Sequence, residues 1–161
     1  MIWNFIIIGA VVIIFLILVR RIPLAKKMQE EIEVSDEEIT NYGLVARADD
    51  AFDSKNFTLA ENLYVKAAAN DPDNVKIYSR LGAIYLEQKD FYDAKEAFLQ
   101  AVKLDPQNGS RHINLGLAYI GLKDFFKASE SFDNALKIDP KNKKYQSLLE
   151  KAEKLKEREK K

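Results

Sequence analysis

The chain opens with an almost uninterrupted run of apolar residues and then changes to patterned, mostly polar sequence. Between Ile2 and Val19 the only clearly polar side chain is Asn4. A helix of this length, at about 1.5 Å per residue, spans roughly 27 Å, which is close to the hydrocarbon thickness of a bilayer. Because residues 5–19 are apolar on every face, such a helix suits lipid better than a small globular domain. We therefore predict a transmembrane anchor over residues 1–20.

The residues on either side of the apolar run predict that the anchor is retained and how it is oriented. A cleaved signal peptide begins with positive charge and ends in small residues, whereas residues 1–5 are uncharged and residues 18–21 offer no small-residue cleavage site. All the nearby basic residues fall between positions 20 and 27, and basic residues mark the cytoplasmic side. We expect a single-pass protein that contacts the bilayer through residues 2–19, with its N-terminus outside and its C-terminal part in the cytoplasm, in a bacterial inner membrane.

A charged stretch separates the predicted anchor from the first patterned segment. Residues 21–34 change from basic to acidic, and Pro23 prevents a continuous helix out of the membrane. Ser35 and Glu38 then form a Ser-x-x-Glu capping box, which predicts a helix that runs to about Ser54. We interpret the stretch as a linker.

The remaining sequence repeats itself at an interval of 34 residues, which is typical of stacked helical repeats. The recurrence pairs Leu81 with Leu115, Gly82 with Gly116, Tyr85 with Tyr119, Ala94 with Ala128, Phe98 with Phe132, Ala101 with Ala135 and Pro106 with Pro140. One step earlier, the second half of the unit recurs as Ala60, Tyr64, Ala67 and Pro72. The first half matches poorly, so we expect the first of three units, residues 41–74, 75–108 and 109–142, to be less regular.

Each unit has the pattern of two helices joined by a short turn. The first row of packing residues in the second unit has helical spacing and consists of Tyr78, Leu81, Gly82 and Tyr85, and the second row consists of Ala94, Phe98 and Ala101. Small residues in both rows allow the two backbones to approach, and aromatic residues fill the space beside them. Strict alternation typical of strands is rare in the chain, so the predicted fold class is all-α.

These positions resemble the tetratricopeptide repeat family, whose pattern is an aromatic residue, Leu-Gly, Tyr, Ala, an aromatic residue, Ala and Pro. His112 departs from the pattern because an aromatic residue is usual there. The resemblance covers about two thirds of the chain and implies an α-solenoid of three tetratricopeptide-type helix pairs. Residues 143–161 have apolar residues on one side and charged residues elsewhere, so they predict a C-terminal capping helix with a charged tail.

The composition of the chain argues against most kinds of catalytic and metal-binding site. The chain has no Cys and one His, and its 25 basic and 25 acidic residues give no net charge, so nothing favours a nucleic-acid partner. We expect His112 to pack rather than to catalyse, since no nucleophile or metal-ligand spacing surrounds it. Asp49, Asp50 and Asp53 are close in sequence but are followed by no calcium-binding loop. We therefore expect no enzyme activity, no metal and no cofactor.

The resemblance implies a concave groove, lined by the first helix of each unit, that binds other proteins or peptides. The positions that line it in the family correspond here to Tyr42, Val45, Asp49 and Phe52, to Lys76, Ser79, Ala83 and Leu86, and to Ser110, Ile113, Leu117 and Ile120, with Arg80 and Asn114 beside them. This mixed lining suits a peptide with apolar anchors, whereas Asp49 would repel a terminal carboxylate. The expected function is a membrane-bound scaffold or adaptor. Two alternatives stay open, a self-associating homo-oligomer and an exported envelope-assembly factor.

Overall fold

The computed structural model describes residues 41–159 of the chain, and these residues form helices and no strand. The helices are α1 (Asn41–Asp53), α2 (Phe57–Asn70), α3 (Val75–Gln88), α4 (Phe91–Leu104), α5 (Gly109–Gly121), α6 (Phe125–Ile138) and α7 (Lys143–Glu159). This confirms the predicted all-α solenoid of helix pairs. The predicted anchor, the charged linker and the helix start at Ser35 lie outside the described residues. Within residues 41–159, no helix has both the length and the hydropathy needed to cross a bilayer.

The two helices of each pair are joined by the same kind of turn. A lysine with a positive φ of about 60° ends each turn, and these lysines are Lys55, Lys89 and Lys123. The residue that follows each lysine caps the next helix, because its side-chain oxygen accepts a hydrogen bond from a backbone N–H three residues later. The left-handed residue reverses the chain direction and the cap starts the second helix, so the pair becomes antiparallel.

An Asp-Pro-x-Asn segment joins each helix pair to the next helix. In the first and third of these segments the Asn side chain donates a hydrogen bond to the Asp carboxylate, from Asn74 to Asp71 at 2.9 Å and from Asn142 to Asp139 at 3.0 Å. In the second segment the Asp105 carboxylate instead accepts from Arg111 at 2.9 Å. Proline cannot continue the preceding helix, so the three segments fix where one repeat ends and the next begins.

The core of the second and third pairs is built on a phenylalanine ring that lies against a glycine. Phe98 and Phe132 are each 1% exposed. A Cβ atom added at Gly82 would lie 2.5 Å from Cε1 of Phe98, and one added at Gly116 would overlap the ring of Phe132 in the same way. Only glycine therefore allows the two helices of a pair to approach this closely.

The first pair also consists of two packed helices, but different residues pack between them. This explains why the sequence of the first pair matches the repeat pattern poorly. Ala48 stands at the glycine position and is fully buried together with Tyr64, which replaces the phenylalanine. Ala51 is also buried in this cluster. Because Tyr64 has a hydroxyl group, its buried ring needs a polar partner, and it finds one in Asp49 at 2.6 Å.

Helix α7 takes the place of a first helix in a further repeat. The Gln146 side chain donates a hydrogen bond to the Pro140 carbonyl at 3.2 Å, just as His112, 34 residues earlier, donates to the Pro106 carbonyl at 2.9 Å. Ala152 is fully buried, and Tyr145, Leu148 and Leu149 pack against the second core cluster. Helix α7 therefore covers the apolar side of α6. The hydrogen bond of the His112 ring to the Pro106 carbonyl gives this histidine a structural role.

Replacing Gly82 by alanine should destabilise the protein, because the new methyl group would overlap the buried ring of Phe98. Overpacking of this kind costs about 1–3 kcal/mol. Urea denaturation of the full-length chain, followed by far-ultraviolet circular dichroism, measures the loss. A smaller side chain at position 98 should relieve the overlap, so the Gly82→Ala/Phe98→Leu double variant should lose less than the sum of the single variants. Additive losses would contradict a direct clash.

Candidate functional site

The three first helices, α1, α3 and α5, carry the residues predicted to line a groove, and side-chain contacts connect these helices. Among the predicted residues whose side chains the structure describes, the half-buried ones are Val45, Asp49, Ser79, Arg80, Ala83 and Asn114. The exposed ones are Lys76, Ser110 and Leu117. Tyr42 lies in α1, but its side chain is outside the part that the structure describes. We use the word groove below for the surface formed by these residues together with Phe52, Leu86 and Ile120.

Asp49 is the centre of a polar cluster that ties α1 to α3. Its carboxylate accepts hydrogen bonds from the Tyr64 hydroxyl and the Lys76 ammonium group. Nε of Arg80 lies 3.4 Å from Oδ1 of the same carboxylate. The Arg80 guanidinium also stacks over Phe52, 4.4 Å from the ring centroid. The two cations at this end of the groove are therefore already paired within the protein.

The electrostatics of this cluster favour a charged Asp49 and a neutral Tyr64. Burial raises the pKa of Asp49, but the hydrogen bonds from Lys76 and Tyr64 and the charges of Lys76 and Arg80 outweigh it and hold the pKa below its usual value. Burial and then the neighbouring Asp49 raise the pKa of Tyr64. Tyr64 therefore remains a hydrogen-bond donor to Asp49 throughout the physiological pH range.

Two predicted groove residues, Ser79 and Ser110, make contacts within the protein. Ser79 Oγ donates to the Val75 carbonyl at 2.9 Å and accepts from Nη1 of Arg111 at 3.2 Å. This second bond connects α3 to α5. Ser110 Oγ lies 3.2 Å from Oη of Tyr145 in α7. Both serines thus help to hold neighbouring helices in register, a role that the sequence did not predict.

The structure corrects the expected placement of Ile113, which is only 4% exposed. We expected Ile113 to line the groove, but it belongs to the core cluster that also contains Ala152 of α7. The corresponding positions in the first two pairs, Val45 and Ser79, are half-buried. Helix α7 adds the apolar side chains of Ala152, Tyr145, Leu148 and Leu149 to the same cluster.

The apolar residues of the groove on α3 and α5 are partly open to solvent. Leu117 is 36% exposed, and Ala83, Leu86 and Ile120 are half-buried. Among residues 41–159, no group of three or more acidic residues and histidines is placed to hold a metal ion. The groove thus combines these apolar residues with the paired charges of Asp49, Lys76 and Arg80.

The comparisons with known proteins agree with this architecture. Tetratricopeptide repeat models match residues 75–108 and 110–142, so these two segments are tetratricopeptide repeats. A comparison with curated protein sequences gives no significant match.

Solved structures of tetratricopeptide domains share the fold. The Arabidopsis OM64 domain is 24% identical and has a TM-score of 0.66 over 71% of this chain and 94% of that chain. The second domain of human RPAP3, in complex with an HSP70 peptide, is 21% identical, with a TM-score of 0.66 over 71% of this chain and 98% of that chain. The yeast Sti1 TPR2B domain, in a complex with pHsp70, is 20% identical, with a TM-score of 0.65 over 71% of this chain and 96% of that chain. At these identities the likeness shows the fold.

Replacing Asp49 by asparagine should destabilise the protein at pH 7 by about 1–2 kcal/mol, because charge-assisted hydrogen bonds are lost. Since the folded-state pKa of Asp49 is lowered, its carboxylate stabilises the fold above its unfolded-state pKa, and this contribution disappears as the pH falls through the folded-state value. The difference between wild type and variant should therefore shrink below about pH 4. Urea denaturation of wild type and variant, from pH 7 to below about pH 4, measures the difference in their free energies of unfolding.

The exposed neighbour Asp50 offers the matched control for this change. Asp50→Asn makes the same chemical change in the same helix and should alter stability by less than about 0.5 kcal/mol. Equal losses in both variants, or a loss at position 49 that does not depend on pH, would contradict the role of the Asp49 cluster.

Proposed function

We propose that this chain, which contains tetratricopeptide repeats, is a membrane-anchored adaptor that binds a segment of another protein in its groove. The observation that carries the proposal is the apolar surface on the first helices, where Leu117 of α5 is exposed and Ala83 and Leu86 of α3 are half-buried. An exposed apolar surface with a polar border is typical of a protein-binding site. Tetratricopeptide domains of the same fold are seen with HSP70 peptides in human RPAP3 and yeast Sti1, which supports peptide binding as the type of function.

The chemistry of the groove favours a partner with apolar anchors over one with an acidic tail. Lys76 and Arg80 are two cations of the groove, and both are engaged by Asp49. An incoming carboxylate would meet the negative charge of Asp49 and would have to displace it from its partners. An apolar side chain that packs on Leu117 and Ala83 requires no such displacement, so we propose an extended or helical segment with one or two large apolar residues.

Replacing Leu117 by glutamate should remove bound partners, because it places a charge on the apolar part of the groove. Quantitative mass spectrometry of proteins that co-purify with the full-length chain measures the effect, and specific partners should fall by about tenfold or more, equivalent to roughly 1.4 kcal/mol. Leu99→Glu is the matched control, since Leu99 lies on the second helix α4 and is similarly exposed, at 38% against 36% for Leu117. Equal partner lists for wild type and Leu117→Glu would refute binding at the groove.

The membrane part of the proposal is supported by the sequence of residues 1–27. The apolar run from Ile2 to Val19 is long enough to cross a bilayer, and the basic residues that follow it favour a cytoplasmic location for the repeats. An anchor of this kind would confine the groove to the membrane surface and so raise the effective concentration of partners held there.

Two fractionation measurements test this arrangement. The full-length chain should stay in the membrane pellet after alkaline carbonate extraction, whereas a version that begins at Val34 should move to the supernatant, because it lacks the apolar run. Protease added to spheroplasts should leave the repeats intact. Extraction of the full-length chain would contradict the anchor, and digestion of the repeats from outside would reverse the topology and favour the alternative of an exported envelope-assembly factor.

A further inference from the structure

A crevice separate from the groove opens between α3 and α4. Its lining consists of Tyr78, Leu81, Tyr85, Asp93, Glu96, Ala97 and Gln100. Leu81 and Ala97 are buried, whereas Asp93 and Glu96 are exposed. Its volume of about 370 Å³ is at the lower end of the range of ligand pockets. The crevice therefore combines an apolar interior and two tyrosine rings with carboxylates at its border.

A third carboxylate, Glu61 of α2, lies next to Tyr85 of the crevice. It accepts a hydrogen bond from the Gln88 side chain at 3.3 Å. Burial and then the charge of Glu61 raise the pKa of Tyr85 to about 12. Burial and then the nearby carboxylates, Asp90 foremost, also raise the pKa of Asp93. Among the described residues Glu96 is paired with Lys95, but no ion pair joins Asp93 or Glu61 to a cation.

The next repeat has a tyrosine at the same position, with different charged residues near it. Tyr119 corresponds to Tyr85, 34 residues earlier, and lysines stand at the positions equivalent to Asp93 and Glu61, whereas Glu130 keeps the negative charge of Glu96. Nζ of Lys127, which corresponds to Asp93, lies 5.6 Å from the Tyr119 ring centroid. Lys95, which corresponds to Glu61, has its pKa raised by Glu96 first and also by Tyr119. At the second tyrosine the chain supplies its own cations, whereas at Tyr85 the same two positions carry negative charge.

We propose that the crevice binds a lysine side chain from a basic segment of a partner polypeptide. The ammonium group would lie between Asp93 and Glu61, where it forms charge-assisted hydrogen bonds. The aliphatic part of the side chain would pack along Tyr78, Tyr85 and Leu81, as lysine stems do on apolar surface. Charge complementarity selects this occupant, and an acidic segment would be repelled. The inference does not depend on the groove, because the groove uses other residues of α3.

Binding of fluorescein-labelled hexalysine to the full-length chain in a non-ionic detergent, measured by fluorescence anisotropy, tests the proposal. The Glu61→Lys/Asp93→Lys variant copies the lysines that the next repeat already carries at these positions, so we expect it to fold. It should bind hexalysine about tenfold or more weakly than wild type, because attraction becomes repulsion at the crevice. The Leu117→Glu variant in the groove should bind hexalysine as the wild type does.

A second double variant controls for the change in net charge. Asp73→Lys/Glu150→Lys changes two exposed carboxylates outside the crevice by the same amount, and its affinity should stay within about twofold of wild type, since separated surface charges are screened by salt. Equal weakening in both double variants, or no saturable binding by wild type, would overturn the proposal. Should the lysine variant fail to fold by circular dichroism, the milder Glu61→Gln/Asp93→Asn variant serves instead. Wild-type affinity in that variant would also overturn the proposal.

Discussion

The contact between a phenylalanine ring and a glycine inside each of the regular helix pairs is the constraint on which the rest of the structure depends. Phe98 can lie against α3 only because Gly82 has no side chain, and Phe132 and Gly116 repeat the arrangement. This contact fixes the distance between the two helices of a pair. In the first pair, Ala48 and Tyr64 take the places of the glycine and the phenylalanine. Stacked helix pairs of this kind bring their first helices to one surface.

The groove and the crevice between α3 and α4 differ in how their carboxylates are paired. In the groove, Asp49 engages both Lys76 and Arg80 with its carboxylate, so each of these cations has a partner within the protein. In the crevice between α3 and α4, Asp93 has no cation of its own among the described residues. A regular backbone thus presents two chemically distinct surfaces, and we assign the first to apolar anchors and the second to basic side chains.

The repeat period, the helix pairs and their packing residues could be predicted from the sequence, because they follow from local turn chemistry and from spacing that recurs within the chain. The burial of Ile113 could not, since its core cluster includes side chains of α7, which begins after the repeats end. The hydrogen bonds of Asp49 with Tyr64 and Lys76 join different helices. The residue types at these three positions change from unit to unit, so the repeat pattern does not indicate that they contact each other. The sequence therefore did not predict that Asp49 pairs with Lys76 and Arg80 within the protein.

Site-specific photo-crosslinking tests most directly whether the first helices bind a polypeptide. A photoreactive amino acid at Ala83, in the apolar part of the groove, is compared with one at Val65, which is exposed on α2. The account predicts that a crosslinked partner forms from position 83 and that its yield from position 65 is at background. Crosslinks of equal yield at both positions, or none from position 83 while position 65 captures the partner, would contradict binding at the groove.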